Sequence, residues 1–127
     1  MTNEERRVLV VDDYSIMRRI VRNLLTQIGF TNIDEAGDGA SALDKMHKSA
    51  VDLVVSDWNM APMSGLEFLK QLRADAHLKD TPFIMVTAES KRENVVAARD
   101  AGANSYIVKP FKAETLLQKI EAVLNEN

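Results

Sequence analysis

The sequence predicts an α/β fold in which five helices cover a doubly wound, five-stranded parallel sheet. Short apolar runs alternate with stretches of helical periodicity five times along the chain, a pattern typical of strand–helix–strand units. Several runs are almost uniformly apolar, as expected for strands buried on both faces. Because right-handed crossovers leave few topologies, we expect the strand order 2-1-3-4-5.

The first half of the chain contains three predicted strands and two predicted helices. Ser15 or Asp13 is expected to cap the first helix, and Gly29 to end it. The third strand is an apolar run that leads directly to Asp57. The predicted elements are a strand over residues 8–11, a helix over 15–28, a strand over 31–36, a helix over 40–47 and a strand over 52–56.

The second half repeats the pattern after a loop over residues 58–64. The helix that ends at Asp100 has small inward residues, so we expect it to be weakly anchored and mobile. It is predicted to begin at Glu89 or Ser90. The other predicted elements are a helix around 66–72, a strand over 83–86 ending at Thr87, a strand over 104–108 and a helix over 114–124.

Length and composition are those of an ordinary globular protein, and we expect a single domain over residues 1–127. The net charge of −3 argues against a nucleic-acid-binding face. The absence of cysteine excludes disulfides and thiolate chemistry and fits a reducing cytosol. The polar start lacks the apolar core of a signal peptide, and no run approaches the ~20 apolar residues of a membrane span. We expect a cytoplasmic protein without membrane insertion.

Polar residues follow four of the predicted strands where each one ends. They are Asp12 and Asp13 after strand one, Asp57 after strand three, Thr87 after strand four and Lys109 after strand five. Since strands one and three are neighbours in the expected order, three carboxylates should meet in one crevice, flanked by a hydroxyl and an ammonium group. Such carboxylates raise one another's pKa or hold a cation.

This set of side chains suggests phosphoryl chemistry. Oxygen ligands without histidine or cysteine favour Mg²⁺, or Mn²⁺ in its place. Lys109 and Thr87 suit the equatorial oxygens of a phosphoryl group. A carboxylate among them is a plausible nucleophile, and its product would be an acyl phosphate.

At these positions the chain resembles the receiver domain of two-component response regulators. The resemblance covers nearly all of the sequence and rests on Asp12-Asp13, Asp57, Thr87-Ala88 and Lys109-Pro110, in that order and spacing. The stretches 17–25, 57–60 and 85–89 are similar to those of single-domain chemotaxis regulators. The resemblance implies a flavodoxin-like fold without an output domain.

The resemblance also implies a role for each residue near the acidic cluster. Asp57 would be the phosphoacceptor, and Asp12, Asp13 and Asp57 would hold Mg²⁺ together with the backbone carbonyl of Asn59. The chain would catalyse only its own phosphorylation and dephosphorylation. It would thus be a switch rather than an enzyme.

Thr87 and Lys109 would contact the phosphoryl group, and Tyr106 would turn inward as Thr87 moves toward it. The implied partners are a chemotaxis-type histidine kinase, a flagellar motor switch protein and a phosphatase. The motor switch would bind the face made by helix four, strand five and helix five, and the chain would act as a monomer.

The loop after Asp57 departs from the family pattern. Relatives usually have proline at the position of Ala61, and here Pro62 follows one place later. Ser64 also stands where an acidic residue is usual before Gly65. Because proline restricts its own backbone and that of the preceding residue, we expect this loop to take a different path.

Two other functions fit the sequence less well. An aspartyl phosphohydrolase would carry a second aspartate where Asn59 stands, and a flavin phosphate would be repelled by Asp12 and Asp13. Within the receiver interpretation, a phosphate sink that drains the kinase and a relay to another histidine protein both stay open, because all three roles need the same acidic pocket.

Overall fold

A computed structural model describes residues 2–88 and 91–125, in which strands and helices alternate strictly. The strands are β1 (Arg7–Val11), β2 (Asn32–Ala36), β3 (Leu53–Asp57), β4 (Phe83–Thr87) and β5 (Ser105–Val108). The helices are α1 (Ser15–Gln27), α2 (Gly39–Lys48), α3 (Gly65–Ala74), α4 (Arg92–Asp100) and α5 (Ala113–Leu124). No helix in the described part of the chain is long and apolar enough to cross a membrane.

All four strand pairings are parallel, and the sheet has the order β2-β1-β3-β4-β5. The predicted topology is therefore confirmed. Asp57 lies opposite Val86 in the register of β3 and β4, and Thr87 lies opposite Val108 in the register of β4 and β5. The carboxyl ends of β3, β4 and β5 therefore lie side by side at one edge of the sheet.

The two faces of the sheet carry separate hydrophobic cores. Alternating residues of the strands supply both, since successive side chains point to opposite faces. Helices α1 and α5 cover one face, where Leu25 and Ile120 are buried. Helices α2, α3 and α4 cover the other, where Phe68 and Ala98 are buried. Both cores leave the carboxyl edge to polar side chains.

The start of α1 differs from the prediction. Tyr14 is its N-cap residue and makes no side-chain cap hydrogen bond, so neither Ser15 nor Asp13 has that role. The nearby carboxylate that accepts from the Tyr14 amide belongs to Asp12, the last residue before the turn. The predicted end is confirmed, because Gly29 follows α1 with a φ of 102°.

Most other boundaries agree with the predictions within one or two residues. The predicted start of the fourth helix at Glu89 or Ser90 lies outside the described residues, and α4 is described from Arg92. The peptide bonds that precede Pro62 and Pro110 are both cis.

Candidate functional site

Asp57 ends β3 as a buried residue, with 5% of its surface exposed. The Trp58 amide donates to the Val86 carbonyl of β4 at 2.9 Å, and the Gly65 amide closes the following loop by donating to the Trp58 carbonyl at 2.8 Å. A Cβ atom on Gly65 would lie 2.1 Å from the Asp57 carbonyl oxygen. Only glycine therefore lets α3 begin this close to Asp57.

Gly65 was not among the predicted functional residues. Its signal in the sequence is a glycine at the first position of a helix, directly after the capping residue Ser64. Glycine is a poor helix former, so its presence there indicates a close backbone approach.

Lys109 links the ends of three strands. Its Nζ lies 2.7 Å from Asp57 Oδ1, and its backbone amide donates to the Thr87 carbonyl at 2.7 Å. Thr87 ends β4 and is 2% exposed. Asp57, Thr87 and Lys109 thus stand at neighbouring strand ends, as the sequence predicts.

Asp12 is the second buried carboxylate at this edge, with 5% of its surface exposed. Its Oδ1 accepts from the Tyr14 amide at 3.0 Å. Burial raises the pKa of Asp12 to about 6, the Tyr14 hydrogen bond opposes that rise, and the charge of Asp57 adds to it. Asp12 and Asp57 are therefore close enough to repel each other.

The other two predicted metal ligands lie further out. Asp13 and Asn59 are both exposed, although the charge of Asp13 still raises the pKa of Asp12. Within residues 2–88 and 91–125, no three acidic or histidine side chains form a ready-made metal-binding group. The four-ligand set with the Asn59 carbonyl stays a prediction.

The donor set nevertheless fits a hard divalent cation. Among the described residues, Asp57 Oδ1 accepts no hydrogen bond of acceptable geometry, although it is fully buried and ion-paired with Lys109. Mg²⁺ is commonly bound through only one or two carboxylates, with waters completing its shell. A cation held by Asp12 and Asp57 would also relieve their mutual repulsion, which adds to the rise that burial causes in the pKa of Asp12.

Tyr106 lies beside this site on β5. Its ring meets the Trp58 ring edge-on, with 6.4 Å between the centroids, so the residue next to Asp57 contacts the predicted switch residue. Tyr106 is half-buried. With Val95 and Ala98 of α4 it lines a cavity of about 190 Å³. The structure places Tyr106 between the acidic site and α4.

Comparison with known proteins gives one family. The profile described as "Response regulator receiver domain" matches residues 8–121, which is most of the chain. The chain belongs to the response regulator receiver family. Receiver domains are regulators rather than enzymes of the usual kind, and they generally bind Mg²⁺.

Among receivers, this chain is closely related to chemotaxis regulators. It is 51% identical to "Chemotaxis protein CheY-3" of Vibrio cholerae over 121 residues, which cover 95% of this receiver and 93% of that protein. It is 50% identical to "Chemotaxis protein CheY" of Pseudomonas aeruginosa over 117 residues, covering 92% and 94% of the two chains.

Solved structures agree. The CheY4 structure of Vibrio cholerae matches this receiver with a TM-score of 0.87 and 39% identity, over 94% of this chain and 98% of that one. The predicted family and the terms response regulator, two-component system and chemotaxis are therefore confirmed.

Proposed function

We propose that this receiver is a single-domain chemotaxis response regulator that accepts a phosphoryl group on Asp57 from a histidine kinase. The observation that carries the proposal is the position of Asp57, which is buried at a strand end, paired with Lys109 at 2.7 Å and near the buried Asp12. A carboxylate held against one cation and one repelling carboxylate is set up for chemistry rather than for packing.

In the proposed reaction, a carboxylate oxygen of Asp57 attacks the phosphorus of a phosphohistidine. The P–N bond breaks, its electron pair stays on the imidazole nitrogen, and an acyl phosphate forms on Asp57. Lys109 neutralises one phosphoryl oxygen, and the Thr87 hydroxyl donates to another. Mg²⁺, held by Asp12, Asp13, Asp57 and the Asn59 carbonyl, would neutralise charge on the transferring group.

The proposed readout runs from Thr87 to Tyr106. A hydroxyl drawn toward the phosphoryl group leaves space behind it, and the Tyr106 ring moves inward. The contact between Tyr106 and Trp58 supports this route, because a ring at 6.4 Å would feel any displacement of the residue next to Asp57. The altered face of α4, β5 and α5 then binds a partner such as the flagellar motor switch.

The remaining parts of the proposal concern cellular context. We propose that the receiver acts in the cytoplasm as a monomer and that a phosphatase shortens its active state. A phosphate sink or a relay intermediate is the alternative function, and both use the same acidic pocket. No observation favours a metal-dependent phosphohydrolase, since Asn59 stands where its second aspartate would be needed.

The experiment uses Trp58, the only tryptophan. Mg²⁺ is titrated while its fluorescence is followed, and beryllofluoride is then added as a phosphoryl mimic. We expect two saturable changes in the native protein and no beryllofluoride response in Asp57→Asn. A native protein that responds to neither Mg²⁺ nor beryllofluoride would contradict the site assignment.

A second measurement separates the motor switch from the sink and relay. The beryllofluoride-bound receiver is mixed with a peptide from a flagellar motor switch protein, and binding is measured by fluorescence anisotropy. We expect binding at least tenfold tighter than without beryllofluoride. Equal affinity in both states would favour the sink or relay function.

A further inference from the structure

Arg18 on α1 contacts the backbone of Asp12. Its Nη1 donates to the backbone carbonyl of Asp12 at 2.7 Å, and its Nε donates to Glu35 Oε1 at 3.1 Å. Glu35 lies on β2, and its other carboxylate oxygen pairs with Arg22 at 2.9 Å. The guanidinium of Arg18 therefore ties the turn after β1 to the neighbouring strand.

The amide, the carbonyl and Oδ1 of Asp12 each have a hydrogen-bond partner. The Asp12 amide donates to the Ala36 carbonyl at 3.1 Å, and Oδ1 accepts from the Tyr14 amide. The Asp12 carbonyl accepts from Arg18. Of these partners, only Arg18 contributes a side chain, so it is the one that substitution can remove without altering the backbone.

We propose that Arg18 is a positioning residue that fixes the peptide between Asp12 and Asp13 and thereby sets the affinity of these two carboxylates for a divalent cation. This inference rests on the proposed function, because it assigns Mg²⁺ to these carboxylates. The Asp12 carbonyl defines the plane of that peptide, and the plane determines where the next carboxylate points. Mg²⁺ demands near-ideal octahedral geometry, so a small rotation of the peptide weakens binding.

Geometry and charge predict opposite effects for loss of Arg18. Removing the positive charge of Arg18 would by itself strengthen Mg²⁺ binding, because two positive charges repel each other. Loss of a partner that orients metal ligands typically costs 10–100-fold in affinity. The sign of the change in affinity therefore distinguishes a positioning role from a through-space charge effect.

The experiment compares Arg18→Met, Arg18→Lys and the control Arg22→Met. Lysine keeps the charge but lacks the planar fork that reaches Asp12 and Glu35 together. Arg22 pairs with the same Glu35 from the same helix and is the matched control. We expect both Arg18 variants to bind Mg²⁺ about tenfold more weakly by Trp58 fluorescence, and Arg22→Met to bind like the native protein.

Three outcomes would overturn the inference. Native affinity in Arg18→Lys would mean that only charge matters, and tighter binding by Arg18→Met would mean that charge dominates. Equal weakening by Arg22→Met would mean that any loosening between α1 and β2 suffices. Urea unfolding of each variant shows whether it is folded under the titration conditions.

A metal-free measurement separates this inference from the proposed function. In EDTA, the Tyr14 amide, which donates to Asp12 Oδ1, should exchange its hydrogen faster in both Arg18 variants than in Arg22→Met, at matched global stability. Equal exchange rates in all three would overturn the positioning role. A native protein without any Mg²⁺ response would instead refute the metal site, and the Tyr14 exchange rates would still decide the role of Arg18.

Discussion

Helices α3 and α4 pack on the same face of the sheet but are anchored very differently. Helix α3 buries Gly65, Phe68, Leu69 and Leu72, whereas in the described part of α4 only Ala98 is buried. Of the four small residues that the sequence predicts to face inward, Val95, Val96, Ala97 and Ala98, the prediction is confirmed for Ala98 and wrong for Val95, which is exposed. Hydrophobic burial scales with the apolar area removed from water, so α3 is held far more strongly than α4.

The helix starts show the same contrast. At the start of α3, Ser64 and Glu67 form a reciprocal capping box, in which Ser64 Oγ accepts from the Glu67 amide at 3.1 Å. At the start of α4, Lys91 is the N-cap residue and makes no side-chain cap hydrogen bond. The first turn of α3 is therefore satisfied locally, and that of α4 is not satisfied by its cap side chain.

The contrast assigns different tasks to the two helices. The strand before α3 ends at Asp57, and the strand before α4 ends at Thr87. A firmly packed helix after Asp57 would keep the proposed phosphoacceptor in place. A weakly packed helix after Thr87 and beside Tyr106 can shift at low cost, which suits the proposed role of this surface in reporting phosphorylation.

The largest expected effect comes from breaking the anchor of α3. Phe68 is fully buried, and its ring packs at a tilt against that of Phe83 of β4, with 5.7 Å between the centroids. Phe68→Ala should lower the free energy of unfolding by about 3–5 kcal/mol, because the cavity cannot collapse between a strand and a helix. Urea unfolding measures this loss.

The exposed Gln71→Ala on the same helix is the control and should change the free energy of unfolding by less than about 0.5 kcal/mol. If Phe68→Ala cost no more than this control, α3 would not be the rigid partner in the comparison.

The second-largest effect concerns the electrostatic cost of burying the Asp12 carboxylate near Asp57. The folded-state pKa of Asp12 is about 6 against an ordinary value of 3.8. The folded state then holds a proton that the unfolded state has lost, so Asp12 lowers stability progressively as the pH rises from about 4 to 6, and the loss is complete above that. Asp12→Asn should therefore stabilise the metal-free protein at pH 7 by about 1–3 kcal/mol.

At pH 3.5 the same substitution should have little effect, since Asp12 is then protonated in the folded state. Urea unfolding of both proteins in EDTA at the two pH values measures the difference. A stabilisation that is equal at pH 3.5 and pH 7 would have another cause than the charge of Asp12.

Much of this arrangement follows from the sequence, for identifiable physical reasons. Strands buried on both faces are uniformly apolar, so the polar residues that follow them mark their ends in the sequence. Parallel pairing then brings Asp57, Thr87 and Lys109 to the same edge of the sheet. The predicted N-cap of α1 was wrong because the Tyr14 amide donates to Asp12, one residue before Asp13, and Tyr14 itself is the N-cap residue. The contact of Arg18 with the Asp12 carbonyl depends on the angle at which α1 packs across β1 and β2. Helical periodicity in the sequence does not predict that packing angle.

A smaller effect compares the two helix starts. Ser64→Ala removes one half of the capping box and should lower the free energy of unfolding by about 1 kcal/mol. Lys91→Ala removes a cap residue without a side-chain cap bond and should change it by no more than about 0.3 kcal/mol. Thermal or urea unfolding resolves the two. Equal losses would mean that the caps do not distinguish α3 from α4.

The smallest expected effect concerns the loose side of the comparison. Val95 on α4 is 36% exposed, so Val95→Ala removes contacts that solvent already shares. It should lower the global free energy of unfolding by less than about 0.5 kcal/mol. The same substitution should still speed hydrogen exchange of the α4 amides relative to those of α3, because α4 opens without global unfolding.

A global loss near that of Phe68→Ala would show that α4 belongs to the same cooperative unit as α3. Tyr106 would then pack against a rigid helix, and the proposed phosphorylation of Asp57 would have to disturb the whole core to alter the face of α4, β5 and α5. A small global loss with faster local exchange leaves the α3 side, with Asp57, unaffected. In that case the proposed phosphoryl group would need to supply only the differential free energy that moves α4.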